Sequence, residues 1–530
     1  MTKFEGTIAG KNIITYTPRG RKRYSPDEIG QYLRKFKLCD ALRLIGKLSY
    51  EIRFQEGLYT ISNVPVSNGV LAYLSMRLIE NSNDYRSQDM SINDLLTVID
   101  MFFGLPDPFQ EDRENPQGCL IRFGSAQFDY DREASHLLPR TLIIYGDLWN
   151  TVAGSNQIDI ADAIQSFCGL NLQEILFLSL VFSDSAKNGF FRLHEEIDKY
   201  PNSMKKYFCI NKQQAFANWI SCSYSDFRSL SRKELPPANE YEKFRFNPLY
   251  LKPVIIPDRN VKPGFSQVYI TPIPTLIYER VTRGLYFSLS ESDYFRSGKS
   301  NPFRGAFGSV FQEYVGLLLK KTFGEANVQK EWRYGSKQNS KDTPDWFVIQ
   351  NGIAVLIEVK QSGLYLNAKK WGNLQDIQQN LKLSIGGGVD QMWKFENDVE
   401  SGLCTVPDWF NGIKITERLV VTYDRSYFLN SILRDEIRQL YPSISETYHW
   451  HTIAVEELEY FLGIVSTNFI EALAEKRLDA EGDRMDFRDY YSRKCSKDDC
   501  RNPYLHSMYD KFFSDLFPFL NQDPRVPKTR

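Results

Sequence analysis

Two β-rich segments joined by Asn351-Gly352 place the strongest constraint on this chain. Asn and Gly accept the positive φ angles that both central positions of a two-residue β-hairpin turn require. The segment before the turn reads DWFVIQ, and the segment after it reads IAVLIEVK. We therefore predict an antiparallel pair of strands in which Gln350 faces Ile353.

The same register places two carboxylates opposite each other at the far end of the hairpin. Counting back from the turn pairs Asp345 with Glu358, and directly opposed residues have Cβ atoms about 4.5–5.5 Å apart. Lys360 points to the same face as Glu358, because side chains two residues apart on a strand share a face. The second strand is otherwise apolar on both faces, which is typical of a covered central strand. We expect this charged cluster at the end of a buried hairpin, in the floor of a cleft.

Two opposed carboxylates repel each other unless a proton or a cation lies between them. Mg²⁺ suits such a pair, because it keeps several waters and accepts one or two carboxylates together with a phosphate. A lysine alongside can stabilise charge on a scissile phosphate or orient the attacking water. The pattern therefore predicts a magnesium site for phosphate chemistry.

Pro344-Asp345 followed by Glu358-Val359-Lys360 resembles the PD-(D/E)XK nuclease superfamily, whose fold many restriction endonucleases share. The predicted order of elements over about 300–460 (helix, strand, hairpin, helical segment, strand) is also similar to the core of that family. The resemblance implies that Asp345 and Glu358 hold the metal, together with the backbone carbonyl of Val359. It implies a catalytic role for Lys360.

The resemblance also implies two supporting catalytic residues. Family members often carry a glutamate on the helix before the sheet, and Glu313 flanks the apolar stripe of that predicted helix; a solvated glutamate is the alternative. A branch of the family adds a glutamine on the helix after the Glu-x-Lys strand, and Gln391 fits that place. Basic and aromatic residues near the site are expected to contact the nucleic-acid backbone or stack on a base: Lys337, Lys341, Lys369, Lys370 and Trp371.

At 530 residues the chain is too long for one ordinary domain. Residues 1–245 show helical periodicity, beginning with a capping box at Ser25-Pro26-Asp27-Glu28. Proline-rich composition predicts an extended connector over 246–300, before a nuclease domain over 301–462 and a helical extension over 463–530. We expect an α/β fold: a restriction-endonuclease-like mixed sheet flanked by helices, preceded by a large, mainly helical recognition or regulatory region.

Composition limits the kind of partner. The 65 Lys and Arg residues nearly balance the 66 Asp and Glu residues, so a surface for nucleic acid must be local. The eight cysteines are irregularly spaced, as in reduced intracellular proteins. The N-terminal residues lack the apolar core of a signal peptide, and the apolar run at 175–182 is too short to cross a bilayer. We expect a soluble cytoplasmic protein without a membrane partner.

These observations favour a Mg²⁺-dependent endonuclease that Mn²⁺ can also activate, and the habits of the family favour DNA as its substrate. A helical module joined to such a nuclease is similar to bacterial restriction and anti-phage defence effectors. The N-terminal region is expected to contact the nuclease, a partner protein or a second copy of the chain. Two alternatives stay open: a non-catalytic nuclease-fold subunit of a nucleoprotein complex, and a transposition or recombination endonuclease.

Two further motifs do not predict a site. Gly386-Gly387-Gly388 lacks the Lys-Ser/Thr of a phosphate-binding P-loop, so it predicts a flexible turn. His449 and His451 share one face of a predicted strand, but no third ligand lies nearby in the sequence.

Overall fold

The computed structural model describes most of the chain. The described residues are 2–8, 11–17, 22–53, 59–62, 64–106, 118–119, 121–122, 134–152, 158–194, 202–236, 239–258, 267–295, 301–361, 363–364, 368–369, 372–424, 427–465, 468–495 and 501–516.

The N-terminal region is mainly helical, as its periodicity predicts. The predicted capping box is confirmed: the Glu28 N–H donates to Ser25 Oγ (3.2 Å), and the Ser25 N–H donates to the Glu28 carboxylate (2.9 Å). The α-helices of this region are Pro26–Leu33, Leu38–Ile52, Asn68–Asn81, Ile92–Phe103, Ala134–Leu142, Trp149–Val152, Ile160–Cys168, Leu172–Ser185, Asn202–Phe208, Ile210–Ile220 and Tyr224–Arg232, with a π-helical stretch at Ile143–Leu148.

Short strands accompany these helices. Two-stranded antiparallel ribbons form from Thr2–Ile8 with Lys11–Thr17 and from Tyr59–Ile61 with Val64–Val66. A four-stranded sheet has the order Phe190–Arg192, Val268–Ile270, Val254–Ile256, Ser221–Ser223.

The segment predicted as an extended connector, 246–300, is only partly extended. Its strands Val254–Ile256 and Val268–Ile270 belong to the same sheet as two strands of the N-terminal region. Thr275–Val281 and Arg283–Ser290 are helices, and their buried residues pack into the protein core. The prolines therefore explain the extended first part of this segment. The spacing of apolar residues after Pro274 favours helices instead.

A five-stranded mixed sheet forms the C-terminal half. Its strands are β1 (Val328–Lys330), β2 (Trp346–Gln350), β3 (Ile353–Lys360), β4 (Lys414–Thr422) and β5 (His451–Ala454), in the order β5-β4-β3-β2-β1. β1, β2 and β3 pair antiparallel, whereas β3, β4 and β5 run parallel. A separate ribbon, Arg333–Tyr334 with Lys341–Asp342, lies between β1 and β2 in the chain.

Helices cover both faces of this sheet. One face packs against α1 (Pro302–Phe323) and α5 (Val455–Ile464), and the other against α2 (Leu374–Leu383), α3 (Ile385–Glu400) and α4 (Ile432–Leu440). The C-terminal extension adds α6 (Phe469–Leu478), α7 (Phe487–Tyr491) and α8 (Pro503–Leu516). The last strand of the sheet, β5, is short, since the chain becomes helical at Val455.

The three consecutive glycines predicted as a flexible turn lie instead in the first turn of α3. Added side chains would collide there: a Cβ at Gly386 would lie 2.8 Å from the carbonyl oxygen of Leu381. The glycines therefore allow close packing. A similar approach occurs on the opposite face, where a Cβ at Gly316 would lie 2.0 Å from Cζ2 of Trp346.

The N-terminal region and the five-stranded sheet share one hydrophobic core. Trp149 stacks on Phe303 of α1, with ring centroids 5.5 Å apart. Arg140 makes a bidentate ion pair with Glu459 of α5 at 2.6 and 2.5 Å, and both side chains are almost fully buried. The Tyr314 hydroxyl also donates to Glu459 (2.6 Å). These contacts join residues from opposite sides of the predicted connector.

No single helix among the described residues is long and apolar enough to cross a membrane. One bent pair, Ile160–Cys168 with Leu172–Ser185, meets that test by length and composition together.

Candidate metal and phosphate site

The predicted hairpin is confirmed in its turn and its register. Asn351 and Gly352 both have positive φ angles, 53° and 76°. Gln350 pairs with Ile353, and Trp346 pairs with Ile357 at the other end of the ladder. One residue further along, Asp345 and Glu358 oppose each other at the end of the hairpin.

Hydrogen bonds with backbone groups fix the position of Asp345. Asp345 Oδ2 accepts a hydrogen bond from the Val359 N–H at 2.6 Å, so its side chain reaches across to β3. Val359 thus contacts Asp345 through its N–H, and a metal-ligand role for its carbonyl oxygen stays a prediction. The Asp345 carbonyl accepts from the Glu331 N–H (2.9 Å), which holds the same residue on its other side.

Both carboxyl groups are buried, and their pKa values are raised. For Asp345 the causes are burial first and then the nearby charge of Glu358. Burial raises the pKa of Glu358, against the opposing effect of Lys360. In the absence of a cation, the pair therefore tends to retain a proton.

Glu358 has one oxygen satisfied and one oxygen unsatisfied. Lys360 Nζ donates to Oε1 at 2.6 Å, while Oε2 is buried and has no hydrogen-bond partner within the described part of the chain. An unpaired buried carboxylate oxygen is costly. A hard cation shared with Asp345 would satisfy it, so these residues fit Mg²⁺.

The helix α3 packs over Glu358 and Lys360. A Cβ at Gly388 would lie 2.9 Å from Cγ of Glu358 and 3.0 Å from Cε of Lys360. Position 388 therefore has to be glycine for α3 to pack this closely over the site.

Sequence reasoning missed a third carboxylate, Glu331. It follows β1 directly and pairs with Asp345 through the backbone, and its charge contributes to the raised pKa of both Asp345 and Glu358. Gln312 Nε2 of α1 donates to its Oε1 (2.7 Å). The one signal in the sequence was a glutamate within the predicted strand that precedes the hairpin.

The two predicted supporting residues have different surroundings. Gln391 Nε2 donates to the Thr343 carbonyl (3.0 Å), two residues before Asp345, and a catalytic role for Gln391 stays a prediction. Glu313 pairs with Lys330, and the structure does not bring its side chain to the carboxylate pair. Gln312, its neighbour in the sequence, is the residue of α1 that reaches Glu331.

Three of the five predicted nucleic-acid contacts lie among the described residues. Lys337 is exposed in the turn of the Arg333–Asp342 ribbon. Lys341 pairs with Asp398 at 2.6 Å, and Lys369 pairs with Asp424. Lys370 and Trp371 lie outside the described residues. A contact of these side chains with nucleic acid stays a prediction.

Comparisons of the chain with protein-family models, with curated proteins and with solved structures find no match. The carboxylate pair, its lysine and its unsatisfied oxygen therefore carry the functional argument without support from a relative.

Proposed function

We propose that this protein is a Mg²⁺-dependent endonuclease of the PD-(D/E)XK type, which hydrolyses phosphodiester bonds of nucleic acid and prefers DNA. One observation carries the proposal: two buried, opposed carboxylates leave Glu358 Oε2 without a partner while Lys360 Nζ is fixed beside them. The mixed sheet with helices on both faces supports the restriction-endonuclease-like fold in this proposal.

Each side chain has a separate task in this proposal. Asp345 and Glu358 would hold Mg²⁺, and the Val359 N–H keeps Asp345 oriented. When bound, the metal supplies positive charge that polarises the phosphate and acidifies water. Lys360, anchored on Glu358, stabilises the negative charge that develops on the phosphate.

The reaction is a hydrolysis. A water oxygen bonds to phosphorus, the P–O bond to the leaving nucleotide breaks, and the proton that the water loses is balanced by one that the leaving oxygen gains from solvent. Mn²⁺ is expected to replace Mg²⁺, because oxygen ligands suit both ions.

We also propose that the N-terminal region regulates the nuclease, in the manner of a restriction or anti-phage defence effector. The support is architectural: the region shares a core with the sheet, and Arg140 contacts Glu459 directly. A ligand or partner that moves Ala134–Leu142 would therefore disturb the helix that follows β5.

The test is cleavage of labelled DNA and RNA, single- and double-stranded, with Mg²⁺, with Mn²⁺ and with EDTA. We expect cleavage that requires the metal and is abolished by Asp345→Asn. The matched control is Asp408→Asn, since Asp408 also follows a proline but is exposed. Binding of nucleic acid without any cleavage would refute the enzyme and favour a non-catalytic nuclease-fold subunit.

A further inference from the structure

A second cluster of ligand-type side chains lies on the opposite face of the sheet from Glu358. In the parallel register, Glu358 faces Val420, and Leu419 faces His451. Glu417 and Leu419 share one face of β4. His451, at the start of the neighbouring strand β5, and His449, two residues before it, share the corresponding face. Glu417, His449 and His451 each offer one ligand atom, and the three atoms lie within 4.8 Å of one another.

We propose that Glu417, His449 and His451 form a zinc site that attaches the C-terminal extension to the sheet. Two imidazoles and one carboxylate occur as the three protein ligands of zinc sites whose fourth position is held by water. This site is separate from the proposed nuclease centre and does not depend on it.

The distances allow a zinc ion after small side-chain movements. Ligand atoms about 2.0–2.1 Å from a tetrahedral zinc are about 3.4 Å apart. The three ligand atoms of the cluster lie within 4.8 Å of one another, so they would move closer together around the ion. The backbone pairing of β4 with β5 fixes the position of His451, opposite Leu419.

Each of the three residues has one buried atom without a hydrogen-bond partner among the described residues. These atoms are Glu417 Oε2, His449 Nδ1 and His451 Nδ1. Three unsatisfied ligand-type atoms in one cluster are costly, since buried polar groups in folded proteins are nearly all paired. A metal ion would satisfy a group of this kind.

The surroundings of the histidines resemble the outer shell of a zinc site. His449 Nε2 lies 2.6 Å from Asp483 Oδ1, and His451 Nε2 lies 3.2 Å from the Leu473 carbonyl oxygen. Histidines that bind zinc commonly donate their other N–H to a carboxylate or a carbonyl in this way.

Nearby cations do not occupy the unsatisfied atoms. Arg477 Nε donates to the other oxygen of Glu417, Oε1, at 3.1 Å. Arg434 Nη1 donates to Asp483 Oδ2 (2.7 Å), and Lys476 Nζ donates to the carbonyl of Gly482 (2.7 Å). Burial lowers the pKa of Lys476 to about 7, which reduces its positive charge.

A bound ion would link two parts of the chain. Asp483 lies in the 3-10 turn Gly482–Arg484, and Leu473 lies in α6, so the outer partners of both histidines belong to the C-terminal extension. Zinc would therefore hold α6 and this turn against β4 and β5.

The test uses the full-length protein without a histidine tag, in an Asp345→Asn background that removes the proposed nuclease site. After dialysis against a chelator, the protein is titrated with Zn²⁺ in competition with a zinc-sensitive dye and, separately, with Co²⁺ to record its visible absorption. We expect about one zinc ion per chain, tetrahedral Co²⁺ bands and a higher Tm with zinc.

Substitutions of the proposed zinc ligands and of Asp483 test whether zinc binds at this site. His449→Ala and Glu417→Gln should abolish zinc binding, and Asp483→Asn should weaken it by about 10–100-fold. His449 is 17% exposed whereas Glu417 is 1% exposed, so His449→Ala decides the assignment if Glu417→Gln does not fold. The control is His506→Ala, on the partly exposed α8. Zinc binding by His449→Ala equal to that of the His506→Ala control, or no zinc binding by the parent protein, would overturn the proposal.

Discussion

Gly388 and Glu358 approach so closely that a Cβ atom at position 388 would lie 2.9 Å from Cγ of Glu358. Glycine-to-alanine changes inside a helix ordinarily stabilise a protein by about 0.5–1 kcal/mol. Gly388→Ala should instead displace Glu358 and Lys360, and we expect cleavage to fall about 10²-fold. Measurement of kcat/KM together with thermal unfolding tests this expectation.

Gly308→Ala is the matched control for that change. Gly308 lies in α1, and a Cβ there would meet nothing within 4 Å. This variant should show the ordinary gain in stability and full cleavage. Equal cleavage by the two alanine variants would show that the contact with Glu358 does not position the site.

The raised pKa values of Asp345 and Glu358 predict a pH-dependent stability. The folded protein retains a proton that the unfolded chain releases near pH 4, so without metal the free energy of unfolding should decrease as pH rises above about 4. Asp345→Asn should flatten this decrease, because it removes one of the two acids. Urea denaturation in EDTA over a pH series measures the effect, and identical slopes for Asp345→Asn and Asp408→Asn would contradict it.

Lys360 should matter for turnover and contribute little to metal binding. Lys360→Ala removes the ammonium group that donates to Glu358 Oε1, and we expect kcat to fall about 10²–10³-fold. Mg²⁺ affinity, measured by calorimetry, should change little by comparison. Full cleavage by Lys360→Ala would contradict a catalytic role for this strand, β3.

Two glutamates near α1 should behave differently. The charge of Glu331 raises the pKa of both site carboxyls, so Glu331→Gln should move the acidic limb of the pH–rate profile to lower pH. Glu313 pairs with Lys330, and Glu313→Gln should leave that limb in place. If the acidic limb shifted equally in Glu313→Gln and Glu331→Gln, Glu313 would also act on the site carboxyls.

The buried ion pair between the two halves should contribute strongly to the stability of the folded protein. Arg140→Met leaves the carboxylate of Glu459, which is fully buried, without its counter-ion, and we expect a loss of about 3–5 kcal/mol. The double variant with Glu459→Gln should recover part of this loss, because it also removes the unpaired charge. Denaturant unfolding of the single and double variants tests the coupling; no recovery would show that Arg140 acts through packing alone.

The sequence predicted those features of the site that depend on local rules. The Asn351-Gly352 turn set the register, and the two-residue period then placed Asp345, Glu358 and Lys360 together. The capping box at Ser25 was likewise a local pattern. Such features need only the chain geometry of a few adjacent residues.

Contacts between distant segments were not predictable in this way. Glu331 joins the site because β1 pairs with β2 across an intervening ribbon. Glu417 meets His451 through parallel pairing of β4 with β5, whose register no turn sequence specifies. Arg140 and Glu459 are brought together only by the packing of helices across a shared core.

The strand order has a consequence for the protein during its synthesis. β3 carries Glu358, but its parallel neighbour β4 and the edge strand β5 follow it in the chain and leave the ribosome later. Chains fold as cooperative units while they emerge from the N-terminus. A nascent or truncated chain that ends before β5 therefore leaves β4 as an unpaired edge of the sheet, and such an edge can pair with another chain.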